Sequence, residues 1–322
     1  MTLQHSVAMS ERGRKTPVSL VTGFLGSGKT TLISRLLAHP GMGETAVIVN
    51  ELGEVGIDHH LLRRVDERTI LLASGCICCT LRGDLADELR DLDSRRARGE
   101  IPPFRRVVVE TTGLADPAPI VYTLAAEPVV RHHYALDGVV ATVDARHGLS
   151  RPESVKQAAV ADVIVVTKVD VADPDEVEAC VRRLNPAAEI VQAAFGEVDP
   201  GRLFGRPERD LRELVFEQHG HAEEIQSFCL FLDEQLDWTG FGIWLTMLLQ
   251  ARGSDLLRVK GLLNVGGAGP VLLNGVQHVV HPPEHLDAWP DDDRRSRIVF
   301  IGRGLEREAV ERSLLAFNAA SH

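Results

Sequence analysis

Residues 23–30 read GFLGSGKT, a complete G-x-x-x-x-G-K-T phosphate-loop motif. The apolar stretch PVSLV at residues 17–21 comes just before it, and the helical pattern TTLISRLLA at residues 30–38 follows it. A strand, a glycine-rich turn and a helix in this order bring backbone N–H groups and a positive helix terminus to one phosphate. The context therefore favours a nucleotide site over a glycine-rich turn that binds nothing.

Each position of this motif has a predicted role. Its three glycines permit a tight loop whose N–H groups converge on phosphate oxygens. Lys29 is predicted to reach the outer phosphates, and the hydroxyl of Thr30 is predicted to coordinate Mg²⁺. The residues predicted to bind the nucleotide in this segment are Gly23, Gly26, Ser27, Gly28, Lys29, Thr30 and Thr31.

Outward from the motif, short apolar runs alternate with helical patterns over the first two thirds of the chain. Several runs are nearly continuous Val, Ile and Leu, which is typical of parallel strands covered on both faces. Between them, Thr80 and Gly99 bracket an amphipathic pattern as its predicted N-cap and stop. The predicted fold class is a doubly wound parallel α/β domain. Its predicted strands are PVSLVTG, TAVIVNE, RRVVVET, LDGVVATVDA, DVIVVTKVD and AEIVQAA.

The pattern changes near residue 205. The polar segment GRPERDLRELVFEQHGHAEEI predicts a linker. Beyond it we predict a smaller α+β domain with a largely antiparallel sheet, built from the strands IQSFCLFLD, LLRVKGLLNV, PVLLNGVQHVVHP and RIVFIG and the helices GFGIWLTMLLQARG and EREAVERSLLAF. The predicted bounds are a disordered N-terminus at 1–14, a nucleotide-binding domain at 15–205, a linker at 206–222 and a C-terminal domain at 223–320.

Composition excludes several classes of function. A chain of 322 residues is long enough for two domains. Its formal net charge of −11 argues against nucleic-acid binding, because the phosphate backbone rewards a basic face. Residues 1–20 contain no signal-peptide core, and no apolar run is long enough to span a bilayer. We therefore expect a cytoplasmic protein with no membrane partner, in which clustered cysteines bind metal or act in redox chemistry.

Two later segments complete the predicted nucleotide site. The stretch TKVD, with Thr167, Lys168 and Asp170, matches the N/T-K-x-D pattern that reads guanine in GTPases. The Asp170 carboxylate can accept two hydrogen bonds that guanine donates and adenine does not. In VVVETTG, Glu110 is predicted to hold Mg²⁺ through a water or to orient the attacking water, and Gly113 to let the backbone approach the γ-phosphate. The alternatives are a chance Lys/Asp pair at a strand end and an ordinary salt-bridged glutamate.

Three cysteines, Cys76, Cys78 and Cys79, lie within four positions of the segment SGCICCT. Thiolates are good ligands for Zn²⁺ and for other borderline or soft metals. Three thiols do not fill a tetrahedral structural site, so a fourth ligand comes from elsewhere or the site stays open. An open site suits metal transfer better than permanent structure. A redox pair and a catalytic thiol remain open as alternatives.

Together these motifs resemble the CobW-like metallochaperone GTPases, a family related to UreG and HypB, over nearly the whole chain. The resemblance is carried by GFLGSGKTTL, VNELGEVGID, SGCICC, VVVETTGLADP, TKVD, LLRVKGLL and RIVFIG. It implies GTP binding and hydrolysis with Mg²⁺, coupled to the delivery of a divalent metal, zinc or cobalt, to a client protein. It also implies that the second domain is the CobW-type C-terminal domain.

Carried over by position, the resemblance implies that Cys78, with Cys76 or Cys79, binds the metal. Glu54, in the segment where a switch loop belongs, is the best carboxylate ligand. Some relatives have an acid where this chain has Val49, so a ligand set that uses that position is absent here. The residues predicted to take part in hydrolysis are Lys29, Thr30, Glu110 and Gly113.

Three other interpretations stay open from the sequence: a nucleotide-gated assembly factor that does not itself carry the metal, a thiol redox switch, and a purely structural zinc site. No arginine finger or activating glutamine is evident. We therefore expect slow GTP hydrolysis that metal or a client accelerates. The sequence names neither the client nor the metal, and it does not set the oligomeric state, so a homo-oligomer is also open.

Overall fold

The computed structural model describes residues 15–50, 70–74, 83–205 and 225–320. The predicted N-terminal segment 1–14 and the predicted linker 206–222 lie outside the described residues. The described residues form one parallel and one antiparallel sheet.

The parallel sheet has seven strands among the described residues: β1 (Thr16–Gly23), β2 (Thr45–Asn50), β3 (Ile70–Ser74), β4 (Arg106–Glu110), β5 (Tyr134–Asp144), β6 (Val163–Thr167) and β7 (Glu189–Ala193). Their order is β3-β2-β4-β1-β5-β6-β7. Six of them coincide with predicted runs. Strand β3 is not predicted, because a five-residue apolar run cannot by itself be told from a helix segment.

Helices cover both faces of this sheet: α1 (Lys29–Leu37), α2 (Gly83–Ala97), α3 (Ala118–Ala126), α4 (Pro128–His133), α5 (Pro152–Val160) and α6 (Asp175–Leu184). Helix α1 buries Leu32 and Leu36 against one face, and α2, α3, α5 and α6 contribute to the core on the other. The doubly wound prediction is confirmed. Gly99, the predicted stop after α2, has a φ of 69°, whereas Thr80 lies outside the described residues.

The antiparallel sheet contains β8 (Ile225–Leu232), β9 (Leu256–Leu263), β10 (Val271–Val276), β11 (Val279–Val280), β12 (Glu284–His285) and β13 (Ser296–Arg303). Its order is β11-β10-β9-β13-β8, with β12 paired to β10. Helices α7 (Trp238–Arg252) and α8 (Arg307–Ala320) pack on one face. The segment PVLLNGVQHVVHP, predicted as one strand, is instead a hairpin, because the chain turns at Gln277 with a φ of 49°.

The opposite face of the antiparallel sheet packs against α3, α5 and α6, so that the two sheets share one apolar core. Arg258 of β9 is buried in this interface. Its Nη1 donates to the carbonyl of Val160 at 2.9 Å, and its Nη2 pairs with the carboxylate of Asp162, directly before β6. Burial lowers the pKa of Arg258 to about 10, so the guanidinium stays charged at neutral pH.

None of the helices in the described part of the chain has the length and apolar character that crossing a membrane requires.

Candidate functional site

The phosphate loop connects β1 to α1 at the carboxyl edge of the parallel sheet. Gly23, Gly26 and Gly28 have φ values of 146°, 73° and 93°, which side chains disfavour. A Cβ on Gly23 would lie 2.6 Å from the carbonyl oxygen of Thr142 and 2.7 Å from Ser27 Oγ. Gly28 is the N-cap of α1, so the helix N-terminus opens directly from the loop. This geometry suits the binding of phosphate that the motif predicts.

Lys29 and Thr30 begin α1, and both are held by hydrogen bonds. Lys29 Nζ donates to the carbonyls of Gly23 and Phe24 at 2.8 and 3.2 Å, so its charge lies over the loop. Thr30 Oγ1 donates to Glu110 Oε1 at 2.9 Å. Glu110, the last residue of β4, is fully buried. An oxygen pair of this kind at the base of a phosphate loop fits Mg²⁺, which prefers hard oxygen ligands.

The segment after β4 lies against the phosphate loop. A Cβ on Gly113 would lie 2.6 Å from the backbone nitrogen of Leu25, so this close approach requires glycine. Thr111 N donates to the carbonyl of Val21 at 2.9 Å, which ties the start of the segment to β1. The structure therefore brings Glu110 and Gly113 beside the loop residues with which the sequence groups them.

The TKVD stretch reaches the same loop from β6. Thr167 Oγ1 donates to the carbonyl of Ser27 at 2.7 Å. Lys168 has a φ of 60°, and Asp170 is exposed in the turn that follows. After β7, a Cβ on Gly196 would lie 3.0 Å from the carbonyl of Thr31. The loop after β7 therefore contacts the first turn of α1.

Both halves of the chain match family models. The model of the CobW/HypB/UreG nucleotide-binding domain matches residues 17–192, and that of the cobalamin synthesis protein CobW C-terminal domain matches residues 225–318. The chain belongs to the CobW/HypB/UreG family. It is therefore a GTPase, and the expectation drawn from its motifs is confirmed.

Individual relatives are similar to this chain in sequence over most of its length. The zinc chaperone YjiA of Escherichia coli is 35% identical over 306 residues, 91% of this chain and 96% of that protein. The zinc chaperone CobW of Pseudomonas aeruginosa is 32% identical over 348 residues, 93% of this chain and 91% of that one. The crystal structure of Zn(II)-bound YjiA GTPase superposes with a TM-score of 0.73 at 30% identity, covering 94% of this chain and 99% of that one.

Asp144, the last residue of β5, is a site residue that no sequence motif indicates. Like Glu110, it is an acid that follows a run of buried valines at a strand end. Asp144 accepts from the backbone N–H of Arg146 at 2.7 Å, pairs with Lys168 Nζ and lies 3.2 Å from His147 Nδ1. Burial acts to raise the pKa of this carboxyl, but these hydrogen bonds outweigh it, so the net pKa is lowered. The ionised Asp144 therefore fixes Lys168, two positions before the predicted guanine reader Asp170.

A cavity of about 270 Å³ opens between the phosphate loop, the end of β5 and the start of α5. Phe24 and Ser27 of the loop line it, together with Asp144, His147 and Arg151. Arg151, which belongs to none of the sequence motifs, thus shares a cavity with the phosphate loop.

The predicted transition-metal ligands Cys76, Cys78, Cys79 and Glu54 lie outside the described residues. Within residues 15–50, 70–74, 83–205 and 225–320, no group of three His, Cys, Asp or Glu side chains is placed to hold a metal ion. The metal site stays a prediction from the sequence.

Proposed function

We propose that this GTPase is a nucleotide-gated zinc carrier that delivers its ion to a client protein. One observation carries the proposal: the strands that precede the two candidate metal-binding segments, β2 and β3, end side by side in the sheet, and the end of β2 lies next to Glu110. In the sheet, Ser74 at the end of β3 is paired with Asn50 at the end of β2, and Val49 is paired with Glu110. The Cys-x-Cys-Cys stretch and the segment ELGEVGID follow from these two strand ends in sequence.

The residues around the phosphate loop are proposed to bind and hydrolyse GTP, each with its own role. Lys29 neutralises the outer phosphates. The phosphates are surrounded by five other residues of the loop and the start of α1: Gly23, Gly26, Ser27, Gly28 and Thr31. Guanine is selected by Thr167, Lys168 and Asp170. Thr30, with Glu110, holds Mg²⁺, which supplies charge neutralisation on the β- and γ-phosphates when bound. Gly113 offers its backbone to the γ-phosphate, and Glu110 orients the attacking water.

The metal half uses the thiolates of Cys76, Cys78 and Cys79 with the Glu54 carboxylate. Two relatives that are named zinc chaperones support zinc as the ion. Because β2, the strand that precedes the Glu54 segment, ends beside Glu110, a loop ordered by GTP can change the ligand set. Linkage then requires that bound zinc shift nucleotide affinity by the same factor. Hydrolysis relaxes the segment and releases the ion to a client.

The test is the Zn²⁺ dissociation constant, measured by competition with a chromophoric chelator. It is measured in the GDP form and with a non-hydrolysable GTP analogue, in the wild type and in Cys78→Ser. Cys180→Ser is the matched control, because Cys180 is a cysteine on α6 whose sulfur accepts from Arg183 of the same helix. We expect a several-fold difference between nucleotide states that is lost in Cys78→Ser and kept in the control. Equal affinity in both states would overturn gating and favour a structural site or a redox pair.

A further inference from the structure

Helix α5 stands between the segment after β4 and the antiparallel sheet. Its Gln157 is about 1% exposed. The single Nε2 group donates to the carbonyl of Gly113 at 3.1 Å and to the carbonyl of Ala115 at 3.0 Å. One buried side-chain amide therefore holds two backbone carbonyls of the segment that abuts the phosphate loop.

This segment is fixed from two sides. Leu25 of the phosphate loop closes on Gly113 from one side, and Gln157 holds its carbonyl from the other. Because a trans peptide keeps its N–H opposite its C=O, fixing the Gly113 carbonyl also fixes the direction of the Leu114 N–H. Ala115 N donates to the carbonyl of Thr112 at 3.0 Å, so the second held carbonyl belongs to the same turn.

We infer that Gln157 is a positioning residue for GTP hydrolysis, which sets the backbone of residues 113–115 against the γ-phosphate. This inference rests on the γ-phosphate role proposed for Gly113. Gln157 acts through the backbone that it holds and contacts no substrate. Its Oε1 is buried, with no hydrogen-bond partner among the described residues. If the turn at residues 113–115 took a second arrangement that pointed an N–H at Gln157 Oε1, this side chain could accept that hydrogen bond.

The residues of α5 that follow Gln157 are anchored to different elements. Asn185 Nδ2 donates to the carbonyls of Ala158, Ala159 and Ala161 at 2.8, 3.1 and 2.9 Å. Arg258 Nη1 donates to the carbonyl of Val160 from the antiparallel sheet. The last turn of α5 thus connects the turn at residues 113–115, held by Gln157, to the C-terminal domain, which contacts Val160. A shift of that turn on hydrolysis would reach the domain interface through α5.

The test compares Gln157→Met, which keeps the volume and removes both donors, with Asn185→Leu, which removes an equally buried amide that holds the C-terminal end of α5 and does not contact the turn at residues 113–115. For each variant, the dissociation constants of GDP and of a GTP analogue are measured with Mg²⁺, together with single-turnover hydrolysis. We expect Gln157→Met to weaken the GTP analogue about tenfold relative to GDP. Because misplacement by about 1 Å costs on the order of 10²-fold in rate, hydrolysis should slow by 10- to 100-fold. Asn185→Leu should lower thermal stability and leave the affinity ratio and the rate within twofold.

Two further variants separate the outcomes. Gln157→Glu, protonated in this buried site, keeps one donor and should give a defect between those of the wild type and Gln157→Met. Gly113→Ala tests the proposed contact with the γ-phosphate. An unchanged ratio in Gly113→Ala would overturn that contact. If Gly113→Ala changed the ratio of GTP-analogue to GDP affinity while both Gln157 variants behaved like the wild type, only the role of Gln157 would be overturned. Equal effects of Gln157→Met and Asn185→Leu would also overturn that role alone.

Discussion

At the scale of single residues, the phosphate loop depends on a glycine whose surroundings leave no room for a side chain. Gly23 has a φ of 146°, and an added Cβ would lie 2.6 Å from a backbone carbonyl oxygen of β5. We expect Gly23→Ala to weaken GDP binding at least tenfold, which corresponds to about 1.4 kcal/mol. Titration with a fluorescent GDP analogue measures this loss.

The control for Gly23→Ala is Gly26→Ala in the same loop. Gly26 also has a positive φ, 73°, but no described atom lies within 4 Å of an added Cβ. This variant should suffer only the left-handed backbone cost of about 1–2 kcal/mol in folding stability. Equal losses of GDP affinity in both variants would show that backbone strain, rather than the contact with β5, decides the requirement for glycine.

Base selection gives a second prediction at this scale. Asp170 is exposed in the turn after Thr167, which is anchored to the phosphate loop. Asp170→Asn replaces an acceptor of two guanine hydrogen bonds by an amide that can donate to the O2 of xanthine. We expect GTP affinity to fall at least about 100-fold and the preference to move towards XTP. Competition of GTP and XTP against labelled GDP measures both effects.

Asp173→Asn is the matched control for base selection, because Asp173 is an exposed acid three positions later. Its Oδ1 accepts from the backbone nitrogen of Asp175 at 3.0 Å, which is a local turn contact. This variant should keep the wild-type ratio of GTP to XTP affinity. A ratio that stays unchanged in Asp170→Asn as well would contradict guanine reading by Asp170.

The sequence predicts a site residue when its role follows from a local motif, and misses it when its partners are distant in the chain. Lys29 and Thr30 follow from the spacing within one motif, because the loop conformation itself requires those positions. Asp144 and Gln157 act on groups 24 and 42–44 positions away in the chain. Only the folded sheet brings those partners together, so no local pattern marks them.

At the scale of elements, continuous apolar runs predict the buried parallel strands well, because both faces of each are covered. The failures are short or bent elements. Strand β3 is five residues long, and the hairpin of β10 and β11 turns at Gln277, a residue with no marked turn preference. Both elements form because of their pairing in the sheet: β3 pairs with β2, and β11 pairs with β10.

The end of this hairpin predicts a pH dependence of stability. His281 follows β11, and burial, with the nearby charge of Arg258, lowers its pKa to about 4. The unfolded chain binds this proton near the ordinary histidine pKa of about 6.5. Between these values the unfolded state binds more protons, so stability falls as the pH drops. The loss from pH 6.5 to 4 is at most about 3 kcal/mol, from about 1.36 kcal/mol per pKa unit.

His281→Leu should flatten this slope, because it removes the titrating group from the buried site. Urea midpoints at several pH values between 7 and 4 measure the effect. The control is His278→Leu at an exposed position of the hairpin turn, which should keep the wild-type slope. A wild-type slope in His281→Leu would show that other groups carry the acid sensitivity.

At the scale of the whole molecule, the two sheets behave as one body because their cores are continuous. Leu257 and Ile301 of the antiparallel sheet belong to the same buried cluster as Ala158 of α5 and Val166 of β6. A polar group inside such an interface must be satisfied there. Asp162 meets this demand: its carboxylate accepts from Val139 N at 2.9 Å and from the guanidinium of Arg258.

This buried pair gives the last prediction. Arg258→Met removes the guanidinium and leaves the Asp162 carboxylate in the interface with Lys260 Nζ 3.8 Å away. Breaking a buried pair costs about 3–5 kcal/mol, so the urea midpoint should fall by an equivalent amount. Asp162→Asn in the same background removes the charge left behind and should restore part of the loss. If the double variant were no more stable than Arg258→Met, the loss would lie in packing and in the bond to Val160, because the charge of Asp162 would then contribute nothing.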